Sequence, residues 1–461
     1  MKSHFRLILA ATFGLAALVS CTDVPSPVDP AAAHSARGGT SGPTVARTDP
    51  TGSPRGLTLD VRVFGSGFDA GTTVRLGLDG SPSPNVTTNS TRFVSSKELV
   101  ANVTISSGAE PSLYDVIVTT GGGKGGIGTE IFEIIGLEDL GALSTTLSPW
   151  AVGMALNTTA EPADVVVVGS SARGCCEHYY PFSWTAGTGM RALQADAGVT
   201  AAWPFGVSNN GIVVGVLANV PSRAFWALEG GTTNELPVLT GSVSSEANGI
   251  TSNGSAIVGS NSILRPGSSD TTTHLVVWRN RTSAPDSIGP GTADGISDNL
   301  TIIGGSLYGV TVWTHDGTKW VASALPGPAS RATGISRDGS RIVGYVATGT
   351  GNVALLWRRV GTGWERIELP AITTTTTKKR PFDSSPSYMA MGVNNAGVAV
   401  GVNGSSAVLW YPDGSSYRAR LMPESNRFGG SWAQAINDNN QVTGRVKPAS
   451  GGWHAVLWTL P

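Results

Sequence analysis

Charge and cysteine are both scarce in this chain. Charged residues make up 14% of its 461 positions and balance to a net charge of −1. No basic surplus exists to follow a phosphate backbone, so no nucleic-acid partner is expected. The cysteines are three, Cys21, Cys175 and Cys176. They show no C-x-x-C spacing and no second half-site, so no metal centre is assigned. No Ser-His-Asp order and no paired-Glu element stands out, so no catalytic residue and no cofactor is assigned. Beyond the N-terminus the apolar runs are about 5 residues, too short for a typical helix, and several carry glycine, which disfavours one.

Glycine is plentiful, at 61 residues, and Ser and Thr are frequent. This is a turn-rich, all-β profile, long enough for two domains. The organising unit is clearest in ATGISRDGSRIVGYV (332–346), continued by VALLW (353–357) and WERIELP (364–370). Short β-branched runs are broken by Asp338-Gly339 and Gly-rich turns, as in a four-stranded meander. The unit recurs seven times. Its second-strand glycine is Gly169, Gly215, Gly259, Gly304, Gly344, Gly401 and Gly444. Its third-strand tryptophan is Trp184, Trp226, Trp278, Trp313, Trp357, Trp410 and Trp458. A period of about 45 residues with four strands per repeat predicts a β-propeller, here seven-bladed.

The last copy stops at Pro461 after three strands. The missing strand resembles ELPVL (235–239), and a match lies before the first copy, as DLGAL (139–143). The N-terminal strand is therefore expected to complete the last blade and remove the exposed edges.

A meander sends its short first and third turns to one face and its longer connections to the other. The long connections are 170–180, 260–273, 371–389 and 423–431, so ligand binding is expected on that face. There the residue before each first strand should ring the channel mouth: Val152, Trp203, Glu246, Thr292, Arg331, Met389 and Trp432. Two flat indoles, one acid and one base suit a sugar or a peptide. The bland reading has the tryptophans packed against loops and the charges solvated. The Asn/Asp-Gly turns are hairpins rather than calcium loops, because calcium needs alternating oxygen ligands. Cys175 and Cys176 are read as a vicinal disulfide, with free thiols or a metal pair as alternatives. Adjacent Cα atoms sit about 3.8 Å apart, so such a bridge would be strained. His274 and His454 open the third strand in two copies, which argues for a repeat-structural role. Lys378, Lys379 and Arg380, in the one stretched interval, read as a solvated loop.

The N-terminus carries an address. Lys2 and Arg6 precede an apolar run, Leu7 to Val19, too short for an ordinary transmembrane helix. Leu18-Val19-Ser20-Cys21 resembles the lipobox of bacterial lipoproteins, which implies cleavage before Cys21 and its lipidation. Residues 1–20 are then a signal peptide and 21–50 a flexible tether. Thr22 follows the cysteine, and similarity to the sorting rule of enteric bacteria implies the outer membrane.

Two further resemblances cover the rest. VFGSGFDAGTTVRL (63–76), STRFVSSKELVANVTI and YDVIVTTGGGKGG resemble an immunoglobulin-like IPT/TIG domain at 51–135, usually a spacer or binding module. AINDNNQVTG (435–444), HAVLW (454–458) and RAFW (223–226) resemble the HAF family of bacterial extracellular repeats, over 136–461. The match is close in the seventh copy and degenerate in the others. It implies a surface-located propeller and brings no catalytic residues. The expected function is non-catalytic binding of a carbohydrate or an envelope protein by a membrane-anchored monomer. The alternatives are a polysaccharide lyase or hydrolase at the same mouth, and an envelope scaffold.

Overall fold

The computed structural model describes residues 42–144, 150–172, 178–195, 199, 201–218, 221–306, 309–329, 331–372, 387–422, 428–449 and 451–461. Cys21, the Cys175–Cys176 pair and the Lys378–Arg380 cluster lie outside these residues. Among the described residues the fold is all-β, with one short 3-10 turn at Pro162–Asp164. No described helix is long and apolar enough to cross a membrane.

Residues 44–135 form two sheets around one core. Strands Thr44–Asp49, Thr58–Ser66, Glu98–Ile105 and Val86–Ser95 pair in that order. Facing them are Ser81–Pro82, Thr73–Leu78, Ser112–Thr119 and the first part of Gly125–Gly141. Alternation decides which side chains go inside: Leu99, Ala101, Val103 and Ile105 from one sheet meet Val74, Leu76, Val116 and Val118 from the other. The strand Thr44–Asp49 lies in the stretch read as tether. It is an edge strand of mostly exposed polar residues, held by backbone pairing with Thr58–Ser66, by Val45 against the core and by buried Thr48, which donates to the Ile131 carbonyl.

Each of the next six copies of the unit is one antiparallel sheet of four consecutive strands. The first is Ala151–Leu156, Val167–Ala172, Tyr179–Thr185 and Gly189–Ala192, and the order repeats over 202–235, 242–290, 292–324, 331–368 and 388–421. The last copy supplies three strands, Gly430–Ile436, Gln441–Lys447 and His454–Thr459. Its fourth is the far end of Gly125–Gly141, where Gly136–Gly141 runs antiparallel to Ala455–Thr459. The pairing begins three residues before the expected DLGAL segment. His454 Nδ1 meets the Asp139 carboxylate at 2.8 Å across this seam. Each sheet's second strand packs on the first strand of the next sheet, and Gln441–Lys447 packs on Ala151–Leu156. The sheets therefore close into a ring, the plan of a β-propeller.

Three features of the repeat have direct physical causes. Each first strand bulges after the fourth residue from its end, with register shifts at Gly153/Ala155, Pro204/Gly206, Ala247/Gly249, Ala293/Gly295, Ala332/Gly334, Ala390/Gly392 and Ala433/Ala435. The bulge turns the preceding carbonyl onto the facing strand. A Cβ on Gly169, Gly215, Gly259, Gly304, Gly344, Gly401 or Gly444 would overlap that carbonyl oxygen, which explains the repeat glycine. The third-strand indole then ties neighbours together. Trp278, Trp357 and Trp410 donate to the carbonyls of Pro237, Pro326 and Pro370, which lie two residues past the fourth strand of the preceding copy.

The short first turns form the third feature. They are linked side chain to backbone around the ring. Asn395 Nδ2 and N–H donate to Asp438, whose own N–H donates to Thr158 Oγ1 at 3.3 Å. Thr158 N–H donates to Asn209, and Ser252 donates twice to Asp298. The Asn/Asp content of these turns is thus spent on holding copies together. No cluster able to hold a metal ion occurs among the described residues.

Candidate functional site

The seven first strands contact one another in a closed inner ring. The bulged residue of each is Met154, Phe205, Asn248, Asp294, Thr333, Met391 and Gln434, half-buried in every copy between small neighbours. The neighbours are small because the inner strands nearly touch. A Cβ on Gly249 would meet the Gly295 Cα at 3.2 Å, and one on Gly392 the Ala435 Cα at 3.1 Å. These residues line the channel, and sequence reasoning missed them. The signal was present as a small-x-small triplet at the start of every copy.

The expected mouth residues hold one equivalent position. Each lies opposite the residue that follows the repeat glycine: Val152 with Ser170, Trp203 with Val216, Glu246 with Ser260, Thr292 with Gly305, Arg331 with Tyr345, Met389 with Val402, and Trp432 with Arg445. Their strands end in the short turns, so they sit toward the other face. Val152 is buried, at 6% exposure, and is not part of an open mouth. Trp203, Thr292, Met389 and Trp432 are half-buried, and Glu246 and Arg331 are exposed.

Two groupings emerge from this ring. On one side Arg331 Nη2 meets Asp294 Oδ1 at 2.8 Å, and the charge of Glu246 also reaches Arg331. Burial pushes the Asp294 carboxyl above its ordinary range, and Arg331 pulls it back. On the other side aromatic rings gather. Trp203 stands 5.8 Å from Trp150 and 5.0 Å from Tyr179, and Trp150 stands 5.0 Å from Tyr179. The Arg445 guanidinium lies 5.8 Å from the Trp150 ring, 5.1 Å from Trp432 and 4.5 Å from Trp453. Trp150 thus joins the two expected tryptophans into one surface through Arg445. Of the thirteen tryptophans, seven fill the repeat position; of the six others, four are in this cluster.

Arg445 makes no hydrogen bond or ion pair among the described residues. Its Nε and the Trp432 Nε1 are buried without an acceptor. Burial pulls the guanidinium below the usual arginine range, although it stays charged. Each unmet buried donor costs about 1–3 kcal/mol.

The channel is barred at the opposite face. Arg337 of the fifth copy reaches Asn209 of the second at 3.2 Å, although those copies are not neighbours in the ring. The contact therefore spans the opening. Of the four long connections, the one at 260–273 is described throughout and is not a loop: the strands Ile257–Leu264 and Thr271–Trp278 stay paired to Leu264–Thr271 as a projecting hairpin, while the other three run through residues outside those described. His274 Nδ1 contacts Ser287 at 3.1 Å and His454 contacts Asp139, so both histidines link a third strand to a fourth.

No family model and no curated protein matches the chain. Similar solved structures include the β-propeller domain of the Trilobed protease from Pyrococcus furiosus, at 13% identity and a TM-score of 0.42, covering 68% of this chain and 94% of that one. TolB from Acinetobacter baumannii aligns at 12% identity and a TM-score of 0.34, over 68% of this chain and 64% of that one. The acylaminoacyl peptidase of Pyrococcus horikoshii aligns at 11% and 0.42, over 67% of this chain, which spans 51% of the peptidase.

Proposed function

We propose that this chain is a lipid-anchored envelope protein that binds a carbohydrate, without catalysis, on the long-connection face of a seven-bladed propeller. The anchor is Cys21, the tether leads to an immunoglobulin-like TIG domain, and that domain's last strand closes the ring. The observation that carries the binding reading is the aromatic surface formed by Trp150, Tyr179, Trp203, Trp432 and Trp453 around Arg445. Flat rings that are half-buried in a rim offer apolar faces for sugar stacking, with polar edges for orientation. Trp203 and Trp432 belong to it directly, while Glu246, Thr292, Arg331 and Met389 complete the rim. An enzyme at the same mouth needs a free acid and base. The half-buried carboxylate of the inner ring, Asp294, is already held by Arg331, and the acid left on the rim is the exposed Glu246.

The test is a glycan-array screen with the full-length protein in detergent, beside a Trp203→Ala/Trp432→Ala variant. Glycan binding that the variant loses supports the reading. A folded wild type that binds no glycan overturns it and leaves an envelope protein or a scaffold role to a pull-down.

A further inference from the structure

The position after the repeat glycine is governed by the fold. It faces the rim residue across the first two strands. In the other six copies it holds Ser170, Val216, Ser260, Gly305, Tyr345 and Val402. Ser170, Val216, Ser260 and Val402 are buried. Arg445 alone puts a charge there. A charge at a position that otherwise carries small, apolar or hydroxyl-bearing residues points to a role other than packing.

Nothing described in the fold satisfies that charge. Among the described residues, eight of the thirteen other propeller arginines have a carboxylate; Arg331 has Asp294, Arg358 has Glu365, Arg418 has Asp413 and Arg420 has Glu133. Arg445 has indole faces instead, and its Nε has no acceptor. Rings on several sides hold the guanidinium plane in place, so little side-chain freedom remains to be lost on binding. A planar fork fixed among sugar-stacking faces matches a planar carboxylate, which it meets with two parallel hydrogen bonds. A sulfate or phosphate ester carries more charge and commonly recruits several cations. Among the described residues, Arg445 is the cation that lies against these indole rings.

We infer that Arg445 is the anion-recognising group of this surface, and that its ligand is a carboxylate-bearing glycan, a polymer containing uronic acid. The inference rests on the carbohydrate reading above and gives it a substrate class. Trp150, Trp432 and Trp453 orient the guanidinium, and Trp203 with Tyr179 extends the stacking surface to a neighbouring sugar.

The experiment is calorimetric titration of the full-length protein in detergent with oligogalacturonate, with its fully methyl-esterified form, and with dextran sulfate. Wild type should bind the acid about tenfold or more tightly than the ester, the worth of a hydrogen bond to a charged group. Arg445→Met should bring the ratio of acid to ester affinity close to one. Arg445→Lys, which keeps the charge but not the fork, should recover only part of it. Thermal melts of each variant show that it is folded. Equal binding of acid and ester by wild type, both lost in Trp203→Ala/Trp432→Ala, overturns the acidic ligand and leaves the carbohydrate reading standing. Dextran sulfate binding as tightly as the acid overturns the carboxylate. Loss of both probes in folded Arg445→Met makes the arginine a packing residue. Failure of every probe with wild type overturns the inference, and the array screen then decides the carbohydrate reading separately.

Discussion

Gly344 has no positive φ to demand glycine; what demands it is the Arg331 carbonyl, which the inner bulge turns toward it. Gly344→Ala should therefore destabilise by about 1–3 kcal/mol, the usual cost of forcing a methyl into packed space. Gly349→Ala, where a Cβ meets nothing within 4 Å, should stay within about 0.5 kcal/mol in the same denaturation assay. The glycine was legible in sequence as a repeat mark, but its cause was not, because the bulge depends on the partner strand. A second residue-level test concerns Glu133. It is buried in the sandwich sheet and paired with Arg420 of the sixth copy, which also donates to Tyr411 at 2.6 Å. Removing one partner leaves a buried charge, so Glu133→Gln should cost about 3–5 kcal/mol, and Glu133→Leu/Arg420→Met should recover most of it. Burial also raises the Glu133 carboxyl above its ordinary value, with Arg420 opposing. The folded state then holds the proton longer than the unfolded one. This contribution to stability is full below the unfolded value near 4.5 and declines as pH rises through the folded value. The decline should be absent in Glu133→Gln melts taken across that range.

The turns of the short face looked like simple hairpins, and so they are. Their side chains do a second job that one copy read alone does not reveal. Asn437 is the clearest case. Its amide donates to the Asn157 carbonyl in the first copy and to Gln441, and its oxygen accepts from the Asn439 and Gln441 N–H groups. Asn437→Ala leaves these buried groups unmet at the seam between last and first copies, and should cost about 2–3 kcal/mol in thermal or denaturant unfolding. The strand pattern and the closing strand were readable because strand period and turn chemistry are local. The cluster at the rim was half readable. Trp203 and Trp432 followed from their place in the repeat, whereas Trp150, Tyr179, Trp453 and Arg445 come from four different elements that only ring closure brings together. Val152, by contrast, shared the position but is buried beneath its neighbours.

The strand Gly125–Gly141 belongs to both parts of the molecule, as the inner edge of the sandwich and the outer strand of the last repeat. A shared strand and the Glu133–Arg420 pair leave no flexible joint between the two. Calorimetry should show one unfolding transition, and a Gly-Ser insertion between Ile135 and Gly136 should split it into two. Closure also brings the tryptophan surface together: Trp432 lies on Gly430–Ile436 of the last copy, Trp150 directly precedes Ala151–Leu156 of the first, and those two strands meet only because the ring shuts. The most direct measurement is the affinity of a glycan hit for wild type, for Trp203→Ala/Trp432→Ala and for Trp364→Ala, a tryptophan outside the cluster. The binding account predicts loss in the double variant and unchanged affinity in Trp364→Ala. Equal affinity in all three, with folded proteins, would contradict it.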